Sequence, residues 1–255
     1  MATDKRIISR QIVEIEVIVR DKTPSKAKKN TAANKPVAAA QPAPVAPVKR
    51  KPLNEYSWAE IKEIGKRGDA EVYFSIGDTK EIILPNNDVL EVAIAGFYHD
   101  KDKDGNLIPI TFTTVNTLEE DAVMNDENTN RGGWKESKMR KSLAHILEYS
   151  LPADLRDLIV ETDKGDTVDK LFLFNEIEVF GRTVYSDDNF GKQYPYYTKK
   201  SNRCKFKDSE ESADCWWLRS PYASYSTFFC GVNGYGGAYY IVASDSYGVA
   251  FGFGL

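Results

Sequence analysis

The side chains that most often do chemistry in proteins are few in this chain and do not form a recognisable catalytic set. Cys204, Cys215 and Cys230 are its three cysteines, and their spacing fits neither a CxxC zinc pair nor a disulfide framework. His99 and His145 are its two histidines, in unrelated sequence contexts. No nucleophile elbow, P-loop or zinc signature occurs. The sequence therefore gives no positive indication of an enzyme, and we assign no catalytic residue and no cofactor.

One acidic cluster has a metal-like spacing. Asp100, Asp102, Asp104 and Gly105 resemble the start of a calcium-binding loop. Such a loop needs a glutamate at its last ligand position, and Thr111 stands there instead. The pattern favours a polar hairpin, and we assign no metal ligand.

The last 35 residues, Pro221 to Leu255, have a composition that suits recognition. They contain one charged residue, Asp245, in a chain with 34 Lys or Arg and 38 Asp or Glu. They are rich in Tyr, Gly and Ser. Tyr supplies a large contact area at low cost in rotamer entropy, while Ser and Gly supply adaptable hydrogen bonding. This composition predicts a binding surface.

The uneven charge and the absence of long apolar runs exclude some classes of partner. Residues 1–52 carry twelve Lys or Arg against four Asp or Glu, so the rest of the chain is acidic. An acidic body argues against a nucleic-acid groove. No apolar run reaches the roughly 20 residues of a membrane span, and the first residues lack the apolar region of a signal peptide. We expect no nucleic-acid partner and no membrane insertion.

The sequence divides into three segments. Residues 1–22 include a strand at 6–20 with one apolar face, which must pair with its own domain, a copy or a partner because a lone strand is unstable. Residues 23–53 form a Pro/Ala/Lys-rich flexible linker with six of the eleven prolines. Residues 54–255 form the main domain.

The pattern of the main domain indicates an α+β fold with short strands, two main helices and much loop. Ser57 and Glu60 form a capping-box pattern at the start of the first helix. The predicted elements are strands at 72–76, 80–84 and 89–98, helices at 134–148 and 153–160, a buried segment of strand or mixed type at 169–179, a long polar irregular stretch at 185–214, and core strands at 215–221 and 248–255.

Several short motifs occur in a fixed order. They are SIGDTK (75–80), GGW-x-x-S-x-MR (132–140), LP-x-DL (151–155), WWLRSP (216–221), FC (229–230), VN (232–233), Gly236 and GVAFGF (248–253). Together they resemble the variable proteins of diversity-generating retroelements, in a phage-associated branch like the major tropism determinants. The resemblance covers about residues 54–255.

This resemblance implies a C-type lectin-like domain, distantly related to formylglycine-generating enzymes, with a variable region at about 221–247. In that family, adenine-directed mutagenic retrotransposition rewrites codons near the C-terminus. Mutating the adenines of an asparagine codon cannot yield Lys, Glu, Gln, Met or Trp, and none of these occurs after Pro221.

The family pattern separates changed positions from a fixed frame. The implied ligand-binding, variable positions are Tyr222, Tyr225, Thr227, Phe228, Gly231, Tyr235, Gly237, Tyr239, Tyr240, Ile241, Val242, Asp245 and Tyr247. The implied frame is Trp216, Trp217, Arg219, Val249, Phe251 and Phe253. Aromatic side chains gathered on one face of this frame would form an interaction site.

The sequence as a whole predicts a hypervariable ligand- or receptor-binding protein on a phage tail or similar particle, made in the bacterial cytoplasm without a signal peptide. Its expected partners are a protein or glycan receptor on a target cell for host recognition, and a particle or tail protein bound through residues 1–22. Two alternatives remain open: an enzyme of the formylglycine-generating type, and a carbohydrate-binding lectin that is not diversified.

Overall fold

A computed structural model describes residues 50–207 and 212–255 of the protein. The predicted strand at 6–20, the attachment role of residues 1–22 and most of the predicted linker lie outside these residues. Leu53, the last residue of the predicted linker, is buried in the same hydrophobic core as Trp58. The folded domain therefore includes Leu53.

The α-helices of the described residues are short, and the longest two span Trp58–Lys66 and Lys138–Tyr149. Within the described residues the α-helices are α1 (Trp58–Lys66), α2 (Ala70–Tyr73), α3 (Gly133–Glu136), α4 (Lys138–Tyr149), α5 (Ala153–Arg156) and α6 (Glu176–Phe180), with 3-10 helices at Leu53–Glu55, Pro195–Thr198 and Lys200–Arg203. The Ser57 hydroxyl accepts a hydrogen bond from the Glu60 N–H, and the Glu60 carboxylate accepts one from the Ser57 N–H. The predicted capping box is thus confirmed.

The strands form several small antiparallel sheets. They are β1 (Thr79–Ile83), β2 (Val89–Phe97), β3 (Ile110–Thr114), β4 (Ala122–Val123), β5 (Thr162–Asp163), β6 (Val168–Asp169), β7 (Lys205–Phe206), β8 (Ala213–Asp214), β9 (Trp216–Pro221), β10 (Phe228–Val232), β11 (Ala238–Val242), β12 (Ser246–Tyr247) and β13 (Gly252–Gly254). One sheet has the order β1-β2-β3-β13 and a second has the order β11-β10-β9, and three further pairs are two-stranded. The predicted α+β class is confirmed.

Two predicted elements differ in type or length. Residues 72–76, predicted as a strand, begin inside α2, because the N–H groups of Val72 and Tyr73 both donate to the Asp69 carbonyl and close a helical turn. The helix predicted at 134–148 is split at Ser137, whose backbone is extended and whose hydroxyl accepts a hydrogen bond from the Arg140 N–H. Helix α4 therefore has its own N-cap.

Two later elements are also shorter or mixed. The helix predicted at 153–160 is the single turn α5. The segment predicted at 169–179 is extended and buried over residues 171–174, and then becomes helix α6. Asn175 starts that helix through a second capping box with Glu178.

Strand β9 is buried on both faces because its side chains alternate between two hydrophobic cores. Trp217 enters the core that also holds Phe251. Trp216 and Leu218 enter a second core that holds Tyr197. The strand that precedes the predicted variable region is therefore held on both sides.

Candidate ligand-binding surface

Six aromatic rings form one connected cluster along the three-stranded sheet, and we call it the aromatic surface. Its members are Tyr185, Tyr222, Tyr225, Phe228, Tyr239 and Tyr240. The Tyr222 ring centroid lies 5.2 Å from the centroids of both Tyr225 and Tyr240. Phe228 meets Tyr240 edge to face at 5.3 Å. Five of the six are predicted variable positions, so these five share one surface.

The members of this surface are open to solvent to different degrees. Tyr225, Tyr239 and Tyr240 are exposed, Tyr225 to 58%. Tyr222 and Phe228 are half-buried. Apolar rings that cluster and remain exposed are a property of interaction sites.

The other predicted variable positions lie around or beyond this surface. Thr227 is half-buried and directly precedes Phe228. Val242 is half-buried and pairs with Phe228 across β10 and β11. Tyr235 is 83% exposed in the turn between β10 and β11, where Gly237 is half-buried. Asp245 is exposed, and Tyr247 is half-buried with its ring edge-on to Trp217.

Gly231 and Ile241, also predicted as ligand-binding positions, face the core instead of the surface. Ile241 is 3% exposed and lies in the larger hydrophobic core. A Cβ added at Gly231 would stand 2.6 Å from Ile241 Cδ1 and 3.0 Å from the Trp216 carbonyl oxygen. Their burial and close packing therefore place these two positions in the frame.

Asn130 holds the loop that carries three of the rings. Its side-chain Nδ2 lies 3.1 Å from the Tyr222 carbonyl oxygen, 3.0 Å from that of Tyr225 and 2.9 Å from that of Phe228. Its backbone N–H donates to the Ser226 carbonyl at 2.7 Å. One residue outside the variable region thus fixes the backbone of the loop at 222–228.

Backbone hydrogen bonds complete this support. The Tyr222 N–H donates to the Phe228 carbonyl at 3.1 Å, and the Ala243 N–H donates to the Thr227 carbonyl at 2.9 Å. The Ala223 N–H donates to the Tyr185 carbonyl at 2.9 Å. None of these bonds uses a side chain of the loop, so they can form with other side chains at positions 222, 225 and 228.

The six residues assigned to the frame are all buried: Trp216, Trp217, Arg219, Val249, Phe251 and Phe253. The Trp217 indole N–H donates to the Ala122 carbonyl, and the Trp216 indole N–H donates to that of Arg203. Both tryptophans therefore satisfy their polar group inside the core. This frame fixes β9 ahead of Pro221.

Arg219 anchors β9 to a buried ionic network. Its guanidinium pairs with both carboxylate oxygens of Glu178 and donates to the Leu173 carbonyl. Lys164 lies between two carboxylates, 2.7 Å from Glu178 and 3.1 Å from Asp100. With two cations and two anions the network is neutral, which is the condition for burying charge at tolerable cost.

The carboxyl pKa values in this network follow from these contacts. Burial by itself would raise the pKa of Asp100, but the Lys164 ammonium and hydrogen bonds from the Thr111 and Tyr194 hydroxyls outweigh it and hold the pKa well below its usual range. Burial opposes ionisation of Glu178 too, and its cationic partners Arg219 and Lys164 still lower its pKa. Both carboxylates remain charged.

A further buried basic residue, Lys205, supports the start of β9. Lys205 is fully buried, and its ammonium donates to the carbonyls of Thr114 and Val115 and lies 5.3 Å from the Trp216 ring. Burial lowers the pKa of Lys205 to about 7. The ammonium thus links the end of β3 to the frame.

Asp102 and His99, two residues with metal-binding or catalytic potential, make structural contacts. Asp102 accepts hydrogen bonds from the N–H groups of Asp104 and Asn106, in a hairpin that turns at Gly105 with φ +87°. His99 stacks on the buried Tyr194 at 3.7 Å. In the part of the chain that the structure describes, no group of three or more His, Cys, Asp or Glu residues is arranged to hold a metal ion.

A cleft of about 470 Å³ reaches Pro221, at the start of the loop that carries the aromatic surface. Asp187, Asp188 and Phe190 line one part of it, and Arg219 lines another. Burial raises the pKa of Asp188, whose carboxylate accepts hydrogen bonds from the hydroxyls of Ser186 and Ser220. One wall of the cleft is therefore formed by the segment that also carries Tyr185.

Sequence reasoning missed three residues that build this site: Asn130, Glu176 and Tyr185. Tyr185 falls in the stretch predicted to be polar and irregular, and its role depends on tertiary contacts. Asn130 lies two residues before the GGW motif. That motif was the only sequence signal close to Asn130. For Glu176, its position directly after Asn175 at a helix start gave no sign that its carboxylate binds the chain at 184–186.

The fold and surface define a small α+β domain with an exposed aromatic cluster on a buried frame. Residues 111–253 match the family described as a domain of unknown function (DUF6273). The match covers more than half of the chain, and the protein belongs to this family. No curated protein and no solved structure matches the chain. Among the described residues, no helix is long and apolar enough to cross a membrane.

Proposed function

We propose that this protein is a ligand- or receptor-binding protein whose binding surface is diversified by a retroelement. The domain would be C-type lectin-like and displayed on a phage tail or similar particle, with a protein or glycan on a target cell as its ligand. Residues 1–22 would attach the domain to the particle; that part of the proposal depends on the sequence pattern.

One observation carries this proposal. Five of the seven aromatic rings predicted from the sequence to vary gather on one partly exposed surface, and the loop that carries three of them is held by Asn130 and by main-chain bonds. A surface built in this way can change its side chains without changing its fold. The closely packed tyrosines also supply the rigid, amphipathic contact area that paratopes use.

The buried frame supports the same proposal. Large buried side chains and a neutral ionic network fix β9 up to Pro221. The two predicted variable positions that face the core, Gly231 and Ile241, lie on strands β10 and β11 and not in the loop. The variation expected to be tolerated is therefore concentrated where side chains are exposed.

A selection experiment tests the binding proposal. Phage displaying random peptides, and in parallel a glycan array, are bound to the full chain and then to Tyr222→Ser, Tyr225→Ser and Tyr240→Ser. Tyr149→Ser is the matched control, because Tyr149 is 62% exposed on α4 and lies outside the aromatic surface. We expect the selected ligands to lose roughly tenfold or more in affinity for the surface variants and none for the control. Ligands that bind all four variants equally would refute the proposal.

A further inference from the structure

Tyr185 is part of the aromatic surface although it lies well before the predicted variable region. Its ring stacks on Tyr222, with centroids 5.4 Å apart and an interplanar angle of 21°. It meets Tyr240 edge to face at 5.2 Å. The Tyr185 side chain is half-buried and packs against the second hydrophobic core. The Tyr185 ring therefore packs on the second hydrophobic core and also contacts the rings at two variable positions.

The backbone at Tyr185 is fixed by a buried carboxylate. Glu176 is fully buried, and one of its carboxylate oxygens accepts hydrogen bonds from the N–H groups of Val184 at 2.9 Å, Tyr185 at 3.0 Å and Ser186 at 2.9 Å. The Ser186 hydroxyl donates to the same oxygen at 2.8 Å. Successive backbone N–H groups around an anion form a nest, and charge-assisted bonds of this kind are stronger than neutral ones.

Glu176 is itself tied to the frame. Its N–H donates to the Ser220 hydroxyl at 2.9 Å, and Ser220 lies in β9. The Tyr185 carbonyl in turn accepts the Ala223 N–H at 2.9 Å, at the start of the variable loop. No side chain of a predicted variable position takes part in these bonds. The backbone of Tyr185 is therefore held without any contribution from the side chains at positions 222 and 240.

We infer that Tyr185 is a constant contact residue of the binding surface, that Glu176 is its positioning residue, and that the partner is a protein segment offering apolar or aromatic side chains. This inference rests on the proposed function. The six rings carry no charge, and five of them bear a phenol hydroxyl; a protein segment fits them because it can place apolar side chains against the ring faces and backbone groups at the hydroxyls. Most of the rings meet edge to face, including Tyr222 with Tyr240 and Phe228 with Tyr240. Rings that meet edge to face make the surface uneven, so that a partner's side chains can pack between them.

The probe for this inference is a set of phage-displayed random peptides selected on the full wild-type chain. Only clones whose binding is lost on Tyr222→Ser are kept. Their affinity is then measured on Tyr185→Ser, Tyr185→Phe and Glu176→Gln, with Tyr149→Ser as the control. Unfolding midpoints are recorded for each variant, so that loss of binding is separated from loss of folding.

We expect Tyr185→Ser to lower affinity roughly tenfold, as loss of a central aromatic contact does, while Tyr185→Phe keeps most of it because the ring remains. Glu176→Gln should bind more weakly and show faster amide hydrogen exchange at residues 184–186. If Glu176→Gln does not fold, the two Tyr185 variants still decide the question.

The failures are distinguishable. If Tyr222→Ser and Tyr225→Ser weaken binding and Tyr185→Ser does not, the inference is wrong and the proposed function stands. If no selected peptide depends on Tyr222 and only glycans bind the surface, the inferred partner class is wrong. If neither peptides nor glycans depend on Tyr222, Tyr225 or Tyr240, the proposed function is wrong as well.

Discussion

The side-chain amide of Asn130 lies 2.9 Å from the carbonyl oxygen of Phe228, and the same nitrogen reaches the carbonyls of Tyr222 and Tyr225. A residue just before the GGW motif thus sets the shape of a loop that lies more than 90 residues further along the chain. The identity of the exposed rings and the conformation of their backbone are consequently controlled by different parts of the sequence.

Replacing Asn130 should loosen this loop. In Asn130→Ala the three carbonyls lose their shared donor, and we expect the free energy of unfolding to fall by about 1–3 kcal/mol. Amide hydrogen exchange should become faster at residues 222–228. Asn189→Ala, at an exposed position, serves as the control. Unchanged exchange in Asn130→Ala would show that the backbone bonds alone hold the loop.

Two neighbouring positions on β11 should respond differently to the same substitution. Ile241 is buried, and Ile241→Ser should cost about 2–5 kcal/mol because it removes apolar contacts and leaves a cavity. Val242 is half-buried beside the surface, and Val242→Ser should cost clearly less. Urea unfolding of the two variants measures the difference. Equal losses would contradict the placement of Ile241 in the frame.

The buried ammonium of Lys205 should make stability depend on pH. Its pKa is lowered to about 7 by burial, from a value of 10.5 in the unfolded chain. Between these values the unfolded state binds more protons than the folded state, so the free energy of unfolding should rise with pH in that window. Lys205→Met removes this contribution. We therefore compare the free energies of unfolding of wild type and variant from about pH 6 to about pH 9, and expect the wild type to gain stability relative to the variant as the pH rises. A difference that stays constant with pH would be inconsistent with a buried lysine that titrates.

The Asp100 carboxylate should have the opposite pH dependence. Its pKa lies well below its usual range, so its contribution to stability is complete above the ordinary aspartate pKa of 3.8 and is lost as the pH falls towards the folded value. Asp100→Asn should lower stability at neutral pH by about 3–5 kcal/mol, because Lys164 loses a buried partner. The variant should also lose less stability than the wild type between about pH 4 and about pH 2. Asp104→Asn, at an exposed position of the same hairpin, should change neither quantity.

Local sequence signals predicted those elements whose cause is local. The capping box at Ser57 and the apolar strands at β2 and β9 are examples, because hydrophobic periodicity and cap chemistry act over a few residues. Residues 72–76 were predicted wrongly, because a β-branched and aromatic run is equally compatible with a helical turn when a backbone carbonyl is in position to accept its N–H groups.

The candidate site was predictable in its composition but not in its assembly. The aromatic residues of the tail supply five of the six rings that form the surface. The burial of Ile241 depends on how β11 pairs with β10. The nest around Glu176 joins this residue to the chain at 184–186, and no periodicity in the sequence connects the two segments. Lys205 was equally hidden, since a lysine in a polar stretch is usually exposed.

The central claim, a diversified binding surface on a fixed frame, is tested most directly by sequencing the DNA around the gene. The proposal predicts a nearby near-identical repeat of the segment encoding residues 221–247, together with a reverse-transcriptase gene. Differences between gene and repeat should fall where the repeat has adenine and should alter surface positions such as Tyr222, Tyr225, Tyr235 and Tyr240, while Asn130, Glu176 and the frame stay constant. Absence of such a repeat, or differences spread over all four bases and over the buried frame, would contradict the account.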